Sequence, residues 1–214
     1  MDPAILQDRV AKALGAAARA LGGWADAYRP NNPADPVAAD NRYLRLPAAF
    51  TAPDGRFVRP SPYGSALWHG IFDSAYTRPG DYIVQNADTW FIAAQQHLLP
   101  VLCVKAARIV SFVRPAAPTA AGVNTYGGVT FAATSPLLTR WPASVLGAAG
   151  GARPDADLPS DASVPYWTVL LPAYPGITLL NADLMTDDLG RTGVVAAAEL
   201  TDLGWRLSVK QSTT

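Results

Sequence analysis

The sequence is short of the residues that carry most acid–base and metal chemistry. Among 214 residues it has one glutamate, Glu199, against 16 aspartates, with one cysteine and two histidines. Because Asp favours turns and helix caps whereas Glu favours helix interiors, this bias predicts a loop-rich, mainly β protein. The 19 prolines and 17 glycines favour the same class.

The single cysteine, Cys103, excludes an internal disulfide and fits synthesis in a reducing cytoplasm. Long apolar runs are also absent, so no stretch of about 18 apolar residues is predicted to span a membrane. Asp2 and Asp8 interrupt the start of the chain, which therefore does not resemble a secretory signal.

The chain has no excess of either charge, with 17 basic and 17 acidic residues. A protein that holds duplex DNA by its phosphates needs a basic face, and none is visible along the sequence. Sequence-specific DNA binding is therefore not predicted. A hydrophobic content of 50% against 16% charged residues excludes overall disorder.

Catalytic and metal-binding patterns are missing as well. His69 and His97 stand outside any metal-ligand spacing, and Cys103 lies in an apolar run typical of a small buried hydrophobe. The glycines at 127–128 and 147–151 match neither a dinucleotide fingerprint nor a P-loop. We predict no catalytic, cofactor-binding or metal-binding residue, no cofactor, and no enzyme.

Paired carboxylates are the remaining candidates for chemistry. Asp187 and Asp188 occupy a turn-like segment beside glycine, where a solvated turn is the simpler interpretation. Asp155, Asp157 and Asp161 leave a weak cation site open, but the closing glutamate of a calcium loop is missing.

The strongest positive feature is a pattern that occurs twice. Asp81 opens an apolar segment, a polar turn follows at 86–88, and a second apolar segment spans 90–94; Asp183 opens a similar series with its turn at 187–190. Further apolar runs follow at 101–113 and 204–209. The pattern predicts two β-hairpins, each with an additional pairing strand. Strand alternation predicts that these residues point inward: Trp90 and Ile92 in one copy, Val194 and Ala196 in the other.

An amphipathic helix is predicted at the N-terminus. Asp2 is placed to cap it, Pro3 suits its first position, and the glycines at 22–23 would end it. Its apolar stripe consists of Leu6, Val10, Leu14, Ala17 and Leu21. The stripe could pack on its own domain or dock on a neighbouring subunit.

The predicted organisation is mainly β, with two small β-barrel or sandwich-like modules, the N-terminal helix and a long extended arm. We place the helix at 1–23, the first β module at 24–115, an Ala/Pro/Gly-rich arm or linker at 116–164 and the second β module at 165–214. The composition of the arm suggests little core of its own. Trp90, Trp167 and Trp205 are expected in the cores, whereas Trp24, Trp68 and Trp141 stay open.

Several segments together resemble a group of tailed-bacteriophage virion proteins. The likeness covers most of the chain, through residues 6–10, 28–30, 78–84, 90–96, 98–102, 110–115, 187–191 and 204–207. The order of aspartate, hairpin and pairing strand is also similar to head-closure and head–tail joining proteins, which are small β-barrels assembled as rings.

The resemblance implies a structural component of a tailed phage particle at the head–tail neck, acting as a connector, stopper or tail-completion protein. It implies a homo-oligomeric ring, contacts with other neck or tail proteins, contact with DNA passing through the channel, and no membrane partner. The protein would be made in the bacterial host cytoplasm and reside in the virion. The alternative is another tail, baseplate or fibre-attachment protein that recognises carbohydrate.

Overall fold

The computed structural model describes residues 3–52, 66–96, 98–115, 134–147 and 166–212. The chain begins with helix α1 (Pro3–Leu21) and continues as two groups of six strands. The first group is β1 (Gly23–Tyr28), β2 (Arg42–Thr51), β3 (Leu67–Ile71), β4 (Tyr82–Gln85), β5 (Asp88–Ala94) and β6 (Val101–Ala106). The second is β7 (Arg108–Pro115), β8 (Thr134–Gly147), β9 (Tyr166–Leu171), β10 (Leu184–Asp187), β11 (Thr192–Thr201) and β12 (Gly204–Gln211).

Each group closes into an antiparallel barrel, and the two barrels share one topology. Barrel 1 runs β1-β2-β3-β6-β5-β4 and returns to β1; barrel 2 runs β7-β8-β9-β12-β11-β10 and returns to β7. In both, the fourth strand crosses over to lie beside the first, which is a Greek-key arrangement. The prediction of a mainly β protein with an N-terminal helix and two β modules is confirmed, and the modules are barrels.

The repeat extends to individual hydrogen bonds. The Ile92 amide donates to the Asp81 carbonyl at 2.9 Å, and the Val195 amide donates to the Asp183 carbonyl at 2.9 Å. A bulge follows at the same place in each copy, after Ile92 in β5 and after Val195 in β11. The hairpins predicted around Asp81 and Asp183 therefore occupy equivalent places in two similar barrels.

The pattern of inward-pointing residues was predicted correctly in one copy and wrongly in the other. Trp90 and Ile92 enter the core of barrel 1. In barrel 2 the buried residue is Val195, whereas Val194 is half-buried and Ala196 is exposed. The turn between β10 and β11 is longer than the one between β4 and β5, so the residues of β11 are displaced by one position relative to those of β5. A displacement of one residue moves each side chain to the opposite face of the strand.

The interiors of the two barrels exchange large and small residues. When the two barrels are aligned by their cross-strand pairs, Trp90 of barrel 1 corresponds to Gly193 of barrel 2. In the same alignment Gly70 of barrel 1 corresponds to Val169 of barrel 2. A side chain at Gly70 would collide with Phe72 and Cys103, and one at Gly193 would collide with Val209. Each barrel therefore fills a similar volume with a different distribution of side chains.

The predicted module boundaries need correction at two segments. Residues 134–147 were expected in an arm with little core, but they form β8, in which Leu138, Trp141 and Ala143 are buried. Likewise 108–115, placed in the first module, forms β7 of barrel 2. Local composition misled the prediction because β8 gains its burial from strands distant in sequence. The other residues of the predicted arm, 116–133 and 148–164, lie outside the described residues.

The two barrels share a core. Tyr82 of β4 donates its hydroxyl to the Pro142 carbonyl of β8 at 2.9 Å, and its ring meets Trp141 edge to face. Phe91 and Ala93, on the outer face of β5, join the same buried cluster. The segment before β2 adds a further contact, because the Trp141 indole donates to the Pro33 carbonyl at 2.6 Å.

Helix α1 packs on barrel 1 through small side chains. Ala11, Gly15 and Ala18 lie one or two turns apart and are buried against β2, β3 and the 3-10 turn Ser74–Tyr76. The predicted stripe of Leu6, Val10, Leu14, Ala17 and Leu21 is rotated about 100° from this face and is only partly covered. The helix is confirmed, but its larger apolar residues are not the ones that hold it to the barrel.

Candidate functional site

The residues considered for chemistry do not come together. Cys103 is fully buried in barrel 1, where burial raises the pKa of its thiol and a backbone hydrogen bond at Gly70 partly opposes the rise. His69 lies in β3, on the neighbouring strand. His97, Asp155, Asp157 and Asp161 lie outside the described residues. Within the ranges that the structure describes, no group of three or more His, Cys, Asp or Glu side chains could hold a metal ion.

Asp187 is buried and was not expected to be. Its carboxylate accepts hydrogen bonds from the amides of Leu189 and Arg191 and from the Arg191 guanidinium, at 2.7 to 3.0 Å. Arg191 also lies over the Trp167 ring, 4.7 Å from its centroid. The exposed neighbour Asp188 fits the predicted solvated turn, whereas Asp187 organises it.

A paired arginine and aspartate recur in both barrels. Arg29, just after β1, donates two hydrogen bonds to Asp81 at 2.9 and 2.7 Å, and Arg114 of β7 donates two to Asp183 at 2.8 and 2.9 Å. Each aspartate is buried immediately before the fourth strand of its barrel. The hydrogen bond to Asp81 raises the pKa of Arg29, although burial opposes it, and the hydrogen bond to Asp183 does the same for Arg114.

Tyr43 distinguishes the pair in barrel 1. Its hydroxyl donates to Asp81 at 2.7 Å, and the Arg29 guanidinium lies 4.4 Å from the centroid of its ring. Burial, and then the hydrogen bond to Asp81, raises the pKa of Tyr43. Backbone amides three residues earlier, at Arg78 and Leu180, also donate to the aspartates. The carboxylates are thus occupied by internal donors, so these clusters fix the loops before β4 and β10.

The partly covered stripe of α1 continues into a second apolar element. The loop between β5 and β6 presents Leu98, 50% exposed, and Leu99, 54% exposed, and both line a groove that Leu6 also lines. We call the stripe residues Leu6, Val10, Leu14, Ala17 and Leu21, together with Leu98 and Leu99, the apolar surface. Sequence analysis found the helical part of it by periodicity and missed the loop part.

The backbone at Leu98 adopts a conformation that leucine rarely takes. Its φ angle is +66°, in the left-handed region that disfavours residues with a Cβ. Its amide donates to the side-chain oxygen of Gln7 on α1 at 2.9 Å. The helix therefore holds an exposed leucine in a strained position.

Barrel 2 has exposed leucines of its own. Leu180 precedes β10, Leu189 lies in the turn after it, and Leu200 lies near the end of β11. Leu189 and Leu200 lie at opposite ends of the ten-residue strand β11, so these leucines are spread along barrel 2 rather than gathered in one patch. We call the three residues together the leucine surface. The apolar surface and the leucine surface thus belong to different barrels of one chain.

A separate groove of about 410 Å³ lies between α1 and β2. Trp24 and Tyr76, 63% and 67% exposed, line it together with three cations and one carboxylate, which are Lys12, Arg19, Arg45 and Asp73. The Arg45 guanidinium lies 5.8 Å from the centroid of the Trp24 ring. We call this the aromatic groove. Trp90, Trp141, Trp167 and Trp205 are buried, so Trp24 is the tryptophan that the described surface displays most fully.

Comparisons with protein-family models, with curated proteins and with solved structures give no match to this chain. In the part of the chain that the structure describes, no helix has the length and apolar character needed to cross a membrane.

Proposed function

We propose that this protein is a structural component of a tailed phage particle, at the head–tail neck, and that it assembles into a ring. In each contact the apolar surface of one copy meets the leucine surface of the next. The sequence resemblance to virion proteins supports the location, and the exposed apolar residues support the mode of action.

The apolar surface is the observation that carries the proposal. Contiguous apolar side chains at the surface of a protein mark sites of interaction with other proteins. Leu98 and Leu99 are both at least half exposed, and they line the same groove as Leu6, an exposed residue of the α1 stripe. Because α1 is already held to barrel 1 by Ala11, Gly15 and Ala18, the exposed ends of its stripe, Leu6 and Leu21, are available for an external contact.

The strain at Leu98 supports the same interpretation. A non-glycine residue in the left-handed region costs about 1 to 2 kcal/mol, and such strain is concentrated at functional sites. The hydrogen bond from Leu98 to Gln7 keeps the leucine in this conformation. Strain that exposes an apolar side chain is useful only if a partner covers it.

The position of the two surfaces supports a ring. A contact between unlike patches is heterologous, and it generates a closed ring when the rotation between copies divides a full turn. The apolar surface lies on α1 and barrel 1, whereas the leucine surface lies on barrel 2. Each copy can therefore contact two neighbours at once.

The alternative position, elsewhere in the tail, in the baseplate or at a fibre attachment, would use the same contacts between copies. In that case a glycan would be expected to stack on Trp24 and Tyr76. Antibody labelling of purified particles, viewed by electron microscopy, distinguishes these positions. Absence of the protein from the particles would overturn both.

The head-to-tail contact can be tested with a complementing pair of variants. Leu98→Asp combined with Leu99→Asp removes one surface, and Leu189→Asp combined with Leu200→Asp removes the other. We expect light scattering after size-exclusion chromatography to show an oligomer for the wild type and monomers for each variant. An equimolar mixture of the variants should form dimers and nothing larger, since only one intact contact remains.

The matched control is Ile5→Asp. Ile5 is an exposed aliphatic residue of the same helix, located about 100° or more around the helix from every stripe residue. This variant should assemble like the wild type. Unchanged assembly of both double variants, or oligomers larger than dimers in their mixture, would contradict the proposed contact.

A further inference from the structure

We infer that the aromatic groove binds single-stranded nucleic acid without sequence preference, by stacking bases on Trp24 and Tyr76 and by holding phosphates with Lys12, Arg19 and Arg45. This activity is independent of the assembly contact, because the groove shares no residue with the apolar surface. The two proposals can therefore fail separately.

The aromatic residues of the groove are unusually exposed for this chain. Most tryptophans of this chain are buried, yet Trp24 on β1 is 63% exposed, and Tyr76 on the 3-10 turn that lines the same groove is 67% exposed. Every nucleobase has a flat face that stacks on such rings, and each stacked base strengthens binding without requiring a particular sequence.

Basic side chains surround the aromatic residues of the groove. Its lining has three cations and one carboxylate, and two of the cations, Lys12 and Arg45, pair with Asp8 and Asp26 beside the groove. The carboxylate, Asp73, accepts a hydrogen bond from the Ala75 amide at 3.1 Å. Local positive charge next to aromatic rings is the combination that tracks a phosphate backbone.

The cations of the groove are available to bind a ligand. Among the described residues Arg19 forms no ion pair, and it is exposed. Lys12 is 3.3 Å from Asp8 and Arg45 is 3.9 Å from Asp26, and in both pairs the basic side chain is well exposed. Such pairs contribute little to stability, so a phosphate can replace the carboxylate at small cost.

The three cations of the groove favour a ligand that carries phosphates over a neutral glycan. A sugar ring also stacks on tryptophan, but it gains little from three cations. A duplex is disfavoured for the opposite reason, because its bases are stacked internally and cannot reach Trp24 and Tyr76. The cations and the exposed rings together therefore favour a single strand.

The test is fluorescence anisotropy of a labelled oligo(dT) strand titrated with the full chain. We expect the logarithm of the binding constant to fall with the logarithm of salt concentration with a slope of about −2, as for three phosphate contacts on a single strand. Trp24→Ala should weaken binding about tenfold or more, and Tyr76→Ala should act in the same direction. Arg19→Gln should reduce the salt slope by about 0.7.

Two controls keep the result specific. Tyr166→Ala removes an aromatic ring of barrel 2 that also lies near a cation, Lys210, and it should leave binding unchanged. An abasic strand of equal length and charge should bind more weakly than oligo(dT). Equal binding of both strands, binding unaffected by Trp24→Ala, or tighter binding of an uncharged or anionic polysaccharide would each overturn the inference. Trp24→Ala should keep the circular dichroism spectrum and the cooperative thermal transition of the wild type, which shows that the variant is folded whether or not the protein assembles.

Discussion

Single residues show where the two barrels differ at the level of backbone geometry. Gly80 and Ala182 occupy equivalent positions in the two barrels. The Gly80 amide donates to the Ile92 carbonyl, and the Ala182 amide donates to the Val195 carbonyl. Both have positive φ angles, +92° for Gly80 and +72° for Ala182. Barrel 1 satisfies this geometry with glycine, whereas barrel 2 tolerates a Cβ in the left-handed region.

This difference predicts that substitutions at the two positions change the free energy of unfolding in opposite directions. Ala182→Gly should raise the free energy of unfolding by up to about 1 kcal/mol, because the relief of left-handed strain exceeds the entropy that glycine adds to the unfolded chain. Gly80→Ala should lower it by a similar amount, although a Cβ there would meet no atom within 4 Å. Urea unfolding of the two variants measures both effects. Equal signs would show that the two turns are not equivalent.

Asp187 predicts a dependence of stability on pH. Burial opposes ionisation and is the largest single influence on its pKa, but the hydrogen bonds from Arg191 and Leu189 outweigh it, so the pKa is lowered. A lowered pKa in the folded state stabilises the protein above the unfolded value of about 4, and this stabilisation is lost as the pH falls through the folded value.

Asp187→Asn should therefore cost about 1 to 3 kcal/mol at pH 7. The difference from the wild type should shrink as the pH falls below about 4. Unfolding curves between pH 3 and 7 provide the measurement. Asp188→Asn, at the exposed neighbour, is the control and should change stability by about 0.5 kcal/mol or less. A pH-independent cost at Asp187 would show that shape, rather than charge, holds the turn.

At the scale of the element, the arginine–aspartate pairs connect the first strand of each barrel to the loop before its fourth strand. The pair in barrel 1 has one more donor than the pair in barrel 2, which is the Tyr43 hydroxyl. Each pair is partly shielded, since the aspartate is buried and the arginine is about one-third exposed. The contact between the first and fourth strands, which closes each barrel, is therefore supported by one such pair in each barrel. The support is stronger in barrel 1.

We expect Asp81→Ala to cost about 2 to 4 kcal/mol, because it leaves the half-buried Arg29 without its partner. Asp183→Ala should cost less. Tyr43→Phe should cost about 1 to 2 kcal/mol, the range for a hydrogen bond to a charged group, and should account for most of the difference. Thermal unfolding of the three variants compares them. A larger cost at Asp183 than at Asp81 would contradict the role given to Tyr43.

The same elements show what the sequence could and could not predict. The hairpins were visible because a turn between two apolar strands is local, and the buried Trp90, Trp167 and Trp205 followed from their position in strands. Strand β8 was missed because its burial depends on β7 and β9, with few local signals among its prolines and small residues. The apolar stripe of α1 was found, yet periodicity could not show that smaller residues would make the contact with barrel 1.

The candidate surfaces were less accessible to sequence analysis. Leu98 and Leu99 resemble core residues in composition, and only the loop geometry exposes them. Trp24 and Tyr76 are 52 positions apart along the chain, so their meeting in one groove depends on the placement of α1 and β2. Surfaces formed from distant segments leave no periodic signal.

At the scale of the whole molecule, buried residues of both barrels form one core, so we expect the barrels to unfold as one cooperative unit. Tyr82 of barrel 1 and Trp141 of barrel 2 are both buried, and the hydroxyl of Tyr82 satisfies the Pro142 carbonyl. Removing this donor leaves a buried acceptor without a partner, which costs more than the loss of an exposed hydrogen bond.

Tyr82→Phe should lower the free energy of unfolding by about 1 to 3 kcal/mol while retaining a single transition. Calorimetry tests this directly, because the calorimetric and van't Hoff enthalpies should agree. Tyr174→Phe is a ring-preserving control at the same cluster. Two separate transitions in the wild type would mean that the barrels unfold independently.

The short connection between the barrels also sets an order for synthesis. β6 ends at Ala106 and β7 begins at Arg108, so the ribosome completes every strand of barrel 1 before it starts barrel 2. Barrel 1 can close first, with Tyr82 and Phe91 bare on its outer face until β8 has been made. At about 5 to 20 residues per second, translation from Ala106 to the end of β8 lasts on the order of a few seconds. During that interval a nascent chain offers chaperones, or other nascent chains, an aromatic patch that the finished protein never shows.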